Sequence, residues 1–149
     1  MIPLNIRSHY SFMWGTPSVK RLCRHARALG YTALALTDTD NLCGMWPFVT
    51  ACRQEGITPV VGAEITDPAT RHRAVCLVKD ATGYSNLCQM ITQRKRDKAF
   101  SLKNNLPTFS KGLAVLTRNA DLLKPWHVAG VDLSVNLART PLSQTDVLC

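Results

Sequence analysis

Short apolar runs alternate along the chain with longer stretches in which apolar residues recur every three or four positions, a beat that predicts strands and amphipathic helices in turn. Residues 4–7 (LNIR) open as a short strand that runs into a loop over 8–15. Thr16 and Pro17 then supply a cap and a first-turn proline ahead of Val19, Leu22, Cys23, Ala26 and Leu29, a helical stripe closed by Gly30. Residues 31–37 (YTALALT) have the continuous apolar character of a buried strand and deliver Asp38, Thr39, Asp40 and Asn41 to the loop beyond it. A second helix is expected from about Cys43 to Glu55, stopped by Gly56, and a strand over 58–65 brings Glu64 near its end. Residues 74–79 (AVCLVK) predict another strand, after which Asp80 to Gly83 leads into a helix whose Leu87, Met90 and Ile91 share a face. Beyond Gln93 the pattern loosens. It is polar and basic to 105, reads as a strand at 112–117, as a short helical or irregular piece at 122–126, and as a half-exposed strand at 131–137.

About six strands and at least three substantial helices in alternation predict parallel βα units, an α/β domain that is either an open doubly wound sheet or part of a barrel. No GxGxxG or GxxxxGKS loop is present, which argues against dinucleotide-binding and P-loop readings. With 149 residues, 46% of them hydrophobic, one core and one domain suffice. The apolar runs fall far short of the roughly 18 residues needed to span a bilayer, and the start has no signal-peptide pattern, so a cytoplasmic protein without membrane contact is expected. The six cysteines form no CxxC pair and sit mostly in apolar segments, as free thiols do, with Cys149 the candidate for an intermolecular bond. Eighteen Lys and Arg against ten Asp and Glu give a formal charge of +8, which suits an acidic partner such as nucleic acid.

Acidic and imidazole side chains near strand ends are the donors a hydrolytic metal centre needs, and Asp38, Asp40, Glu64 and His9 are of that kind. Asp38 and Asp40 beside Asn41 read equally well as turn and cap residues, and Glu64 as a solvated turn residue. The basic run Arg94, Lys95, Arg96 and Lys98, extended by Lys103 and Lys111, is a candidate surface for DNA phosphates or else a solvated helix end.

Four linked blocks carry a family resemblance. They are Tyr10-Ser11 with Gly15; residues 28–38 (ALGYTALALTD) with 41–44 (NLCG); residues 56–64 (GITPVVGAE); and residues 77–80 (LVKD) followed by Gly83-Tyr84 and Asn86-Leu87. In order and spacing they resemble the PHP (polymerase and histidinol phosphatase) superfamily, most closely the N-terminal domain of bacterial DNA polymerase III alpha subunits and their error-prone relatives. The resemblance is strongest over 4–92 and weaker over 93–149, where only residues 91–96 (ITQRKR) are similar to a basic stretch of the error-prone branch. It implies a PHP-type distorted (β/α)7 barrel whose strand ends hold up to three metal ions, usually zinc or manganese, for phosphoester hydrolysis. It also implies that most ligands are replaced here. The first-strand H-x-H pattern falls on Asn5 and Arg7, the acidic residue before the glycine on Trp14, the histidine after the T-D pair on Thr39, and the histidine opening the next strand on or near Arg73. Asp38 and Glu64 remain as vestigial ligands, and His9 and His72 are the residues that could rescue the site by a small register shift. Arg7, placed where a cation would sit, is expected to repel metal and pair with Glu64.

The function implied is that of a non-catalytic PHP-type domain of a DNA polymerase III alpha-like protein, a scaffold or interaction element in replication or translesion synthesis. No cofactor is expected, with zinc or manganese if the site survives. The alternatives are a metal-dependent phosphoesterase or 3'-5' proofreading nuclease built on Asp38, Glu64, His9 and His72, and a small basic nucleic-acid-binding protein. Residues 1–149 are expected to form one partial domain that ends in a helix cut short at 140–149 (TPLSQTDVLC). Its open strand edges then call for the remainder of a polymerase, another polymerase subunit, or self-association, with DNA as a further partner.

Overall fold

The computed structural model describes residues 2–135; the expected helix at 140–149 and the Cys149 thiol lie outside them. In chain order the elements are α1 (Val19–Ala28), β1 (Ala33–Thr39), α2 (Met45–Glu55), β2 (Thr58–Thr66), β3 (Arg73–Val78), α3 (Ala81–Arg96), α4 (Leu102–Phe109), β4 (Leu113–Thr117), α5 (Ala120–Val128) and β5 (Leu133–Val135). The cap of α1 is Ser18 rather than Thr16, because Pro17 is drawn out of the helix by the hydrogen bond that its carbonyl accepts from the His9 amide at 3.1 Å. α2 ends as expected at Gly56, whose φ of 67° is the left-handed conformation that a residue without Cβ adopts freely. No helix among the described residues is long and apolar enough to cross a membrane.

The five strands of the described residues form one sheet in the order β1-β2-β3-β4-β5. It is mixed rather than wholly parallel. β1 and β2 pair parallel, as do β4 and β5, but β3 runs antiparallel to both β2 and β4. Only residues 67–72 join β2 to β3, and a parallel crossover needs about a dozen residues, so this pair closes as a hairpin. The expected strand at 4–7 reduces to one parallel bridge, Ile6 with Leu36, on the outer edge of β1.

Residues paired across strands share a face, so the register sorts the side chains into layers. Leu34 and Leu36 of β1 pack with Val19, Cys23, Phe48, Ala51 and Cys52 of α1 and α2. Ala63, Ile65, Ala74, Cys76, Leu113 and Val115 lie on that same face of β2, β3 and β4, where they meet Leu87, Met90, Leu102, Leu106, Leu122 and Trp126 of α3, α4 and α5. All five helices of the described residues therefore cover one face. The opposite face carries a smaller cluster of Ala35, Val75 and Leu77 with half-buried Val60, Ala114 and Leu116. Complete burial pushes the Cys76 thiol up to about 12, which makes it an inert core side chain. Close approach fixes α3 on the sheet: Asp80 accepts a 2.8 Å hydrogen bond from the Gly83 amide, and a Cβ at Gly83 would stand 1.9 Å from the Gly112 carbonyl oxygen.

The β2–β3 hairpin is pinned to α4 by Asp67. Its Oδ1 accepts from the amides of Ala69 and Thr70 at 3.0 and 2.9 Å, and its Oδ2 from the Leu102 amide at 2.8 Å. Burial works to raise the carboxyl's pKa, but the hydrogen bonds from Leu102, Thr70 and Ala69 outweigh it and hold the pKa below the ordinary carboxylate range. A carboxyl depressed in the folded state stabilises the fold above its unfolded pKa, and that contribution is lost as the pH falls through its folded value. Asp67→Asn is therefore expected to be less stable than the parent at neutral pH and to narrow the gap as pH falls below about 4. Urea denaturation across that range checks this, and parallel pH profiles for the two proteins would refute it.

Candidate functional site

The C-terminal ends of β1, β2 and β4 and the start of β3 lie at one end of the sheet, a consequence of the antiparallel hairpin. On the helix-free face of that end, the register sets Thr39 beside Glu64. Glu64 is buried, 4% exposed, yet its carboxylate faces two guanidiniums. Arg7 Nη2 donates to Oε1, Arg73 Nη1 donates to Oε2 at 3.1 Å, and Thr39 Oγ1 donates to Oε2 at 3.2 Å. The expected pairing of Arg7 with Glu64 is thus present, with Arg73 as a second cation. Both guanidiniums also lie against the Trp14 ring, their Cζ atoms 5.4 and 5.0 Å from its centre.

Asp38 does not join this cluster. Adjacent residues of a strand point to opposite faces, so with Thr39 directed at Glu64, Asp38 turns to the helix-covered side. There it is 1% exposed and accepts from the Ser8 amide at 2.8 Å, the Ser8 hydroxyl at 2.8 Å and the Ser11 hydroxyl at 2.6 Å, tying the 8–15 loop over the end of β1. Gly15 closes that loop, since a Cβ there would lie 1.9 Å from the Ser8 carbonyl oxygen. Asp40, in the left-handed region at φ 51°, acts as a turn residue and accepts from the amide and hydroxyl of Thr66.

The histidines stand apart from Glu64. His9 is exposed and packs on Tyr10 at 4.3 Å, and His72 Nε2 lies 3.9 Å from Asp121 Oδ2 of α5. Among the described residues no three His, Cys, Asp or Glu side chains gather where they could hold a metal ion. The residues at the family's metal positions do not fit a divalent cation. Of the two acids there, Asp38 is turned away and held by Ser8 and Ser11, and Glu64 is already engaged by two guanidiniums, which would repel a third cation. Of the basic run, Arg94 is half-buried and donates to the carbonyl and hydroxyl of Thr66, whereas Lys95, Arg96 and Lys98 are exposed at and beyond the end of α3.

Asn5, Arg7, Trp14, Glu64 and Arg73 together line one pocket of about 380 Å³. Four further polar residues, absent from the sequence-based candidates, complete it: Arg71, Thr117, Arg118 and Asn119. Asn119 Oδ1 accepts from the Arg73 amide at 3.0 Å, and Thr117 Oγ1 donates to the Arg73 carbonyl at 3.0 Å, locking the start of β3 to the end of β4. The signal that reveals them is the short 67–72 connection: once β3 is antiparallel to β2, Arg71 and Arg73 must fall at the same end as Glu64.

The model of the PHP domain family matches residues 3–132. The error-prone DNA polymerase of Pseudomonas fluorescens is 40% identical over 93 residues, covering 62% of this chain and 9% of that protein. The DNA polymerase III alpha subunit of Treponema pallidum is 36% identical over 99 residues, covering 58% and 8%, and that of Chlamydia pneumoniae 33% identical over 134 residues, covering 78% and 11%. The chain therefore spans about a tenth of the length of these relatives. Among solved structures, a protein assigned as a metal-dependent phosphoesterase from Bifidobacterium adolescentis superposes with a TM-score of 0.60 at 15% identity, over 91% of this chain and 77% of its own. An amidohydrolase from Chromobacterium violaceum superposes with a TM-score of 0.52 at 26% identity, over 62% and 32%. Matched by the family's model over most of its length and sharing its fold, the chain belongs to the PHP domain family.

Proposed function

We propose that the chain serves as a non-catalytic PHP-type domain of a DNA polymerase III alpha-like protein, a scaffold or interaction element in replication or translesion synthesis. Its partner on this reading is the remainder of the polymerase or another of its subunits. The observation that carries it is the bridge from Arg7 through Glu64 to Arg73. Hydrolysis by a metal centre needs a cation held by several anionic or neutral donors, with an open position for water. Here two guanidiniums engage the carboxylate and supply the positive charge themselves, so the strand ends are tied together where a metal ion would have to sit. The placement of the polymerase relatives' matches, each within a small part of a much longer protein, supports a role as one part of a larger machine.

The test is elemental analysis of the purified protein together with a phosphoesterase assay in added zinc or manganese. Substoichiometric metal and no turnover above background are expected. Stoichiometric zinc or manganese with turnover that Glu64→Ala abolishes would overturn the reading in favour of a phosphoesterase.

A further inference from the structure

The pocket at the ends of β2, β3 and β4 brings four arginines, Arg7, Arg71, Arg73 and Arg118, against a single carboxylate, Glu64. Glu64 engages Arg7 and Arg73, while no carboxylate among the described residues pairs with Arg71 or Arg118, both of which are exposed. Arg7 keeps one more unspent donor: its Nε is buried and has no hydrogen-bond partner among the described residues. Being buried, that N–H is not itself open to a ligand, so what the pocket offers an anion is the guanidinium groups of Arg71 and Arg118 beside those of Arg7 and Arg73. Arg73 is held by Asn119 and Thr117 through its backbone, which sets Arg73 and the neighbouring Arg118 on a fixed turn.

We propose that this pocket binds a phosphate group directly, without metal, through the guanidiniums of Arg7, Arg71, Arg73 and Arg118. The proposal rests on the ion-pair reading of the site and gives it a ligand. A guanidinium presents its N–H groups in a planar fork that matches two oxygens of a phosphate, and several cations around one cavity favour a dianion over a monocarboxylate. Trp14, 62% exposed at the rim, offers a ring on which the base of a nucleotide would stack, so inorganic phosphate and a nucleoside phosphate are the two sources of the same chemistry.

Isothermal titration calorimetry of the 149-residue chain in chelator at low ionic strength, with inorganic phosphate, deoxyadenosine monophosphate and acetate as probes, tests this. Phosphate is expected to bind at least about tenfold more tightly than acetate, and Arg71→Ser with Arg118→Ser to weaken it by about tenfold or more. Those arginines are exposed and outside the Glu64 bridge, so the variant keeps its fold; removing the same charge from α1 with Lys20→Ser and Arg27→Ser is expected to leave binding within about twofold. Tighter binding of the nucleotide than of phosphate, lost in Trp14→Ala, identifies the nucleotide as the source; equal binding identifies the ion. Absence of binding by both phosphate probes up to about 10 mM, or binding untouched by the Arg71 and Arg118 substitutions, overturns the proposal while leaving the ion-pair reading intact. Binding that appears only when zinc or manganese is added overturns both.

Discussion

Replacing Glu64 with alanine is expected to destabilise the fold by about 3 kcal/mol in chelator, read from urea denaturation with an unchanged slope. The Glu64 side chain is 5% exposed and stands between two cations; without it, Arg7 and Arg73 face one another with no counter-charge. Removing one partner of a buried pair costs about 3–5 kcal/mol, and the lower end applies because the Arg7 and Arg73 side chains are 22% and 40% exposed and keep part of their hydration. Converting all three together, with Arg7→Met, Glu64→Leu and Arg73→Met, removes the desolvation penalty along with the attraction and is expected to return stability to within about 1 kcal/mol of the parent. A Glu64→Ala protein as stable as the parent would show that the bridge does not hold these segments together.

Asp38→Ala is expected to cost a similar amount, about 3 kcal/mol, but by a different route. Among the described residues no cation pairs with Asp38; its carboxylate instead satisfies the Ser8 amide and the hydroxyls of Ser8 and Ser11, and both serines are essentially inaccessible to water. Each buried donor left without an acceptor costs about 1–3 kcal/mol, reduced here where a hydroxyl rotates to another partner. Because the Ser11 hydroxyl also accepts from the Thr39 amide at 3.0 Å, the loss extends to the end of β1. The 8–15 loop should loosen, so that limited proteolysis cuts near the exposed Phe12 and Met13 sooner than in the parent, while Asp38→Asn is milder. Unchanged stability together with unchanged cleavage would rule out this anchoring role.

The sequence was most legible where periodicity and turn chemistry agree. The stripe from Val19 to Ala26, the apolar run that becomes β1, the stop at Gly56 and the helix entered through Asp80 to Gly83 all lie close to their expected places, because each is set by neighbours within a few residues. The pairing of Arg7 with Glu64 was also legible, from the charge that the family pattern puts at position 7. Strand direction was not: the pattern of residues 74–79 is the same whichever way the strand runs, and only the brevity of the 67–72 connection reports it. With direction unread, Arg71, Arg118 and Asn119 had no reason to be placed with Glu64. Nor does one-dimensional spacing tell that Arg94 turns back onto Thr66 while Lys95 and Arg96 face solvent, since that depends on which side of α3 meets the sheet.

The alternation at the end of β1 has a consequence for how this site could change. Because Asp38 faces away from Glu64, any ligand that β1 contributes beside Glu64 must come from position 39, which here holds a threonine. Building a metal centre would therefore require new donors at 39, 7 and 73 together. Each step taken alone either strips Glu64 of a counter-charge or adds a donor beside a guanidinium that repels the metal, so the intermediates have neither the bridge nor the ion. The present arrangement is thus several coupled substitutions away from a metal-binding one, and a single change at 7, 39 or 73 is not expected to create a metal site.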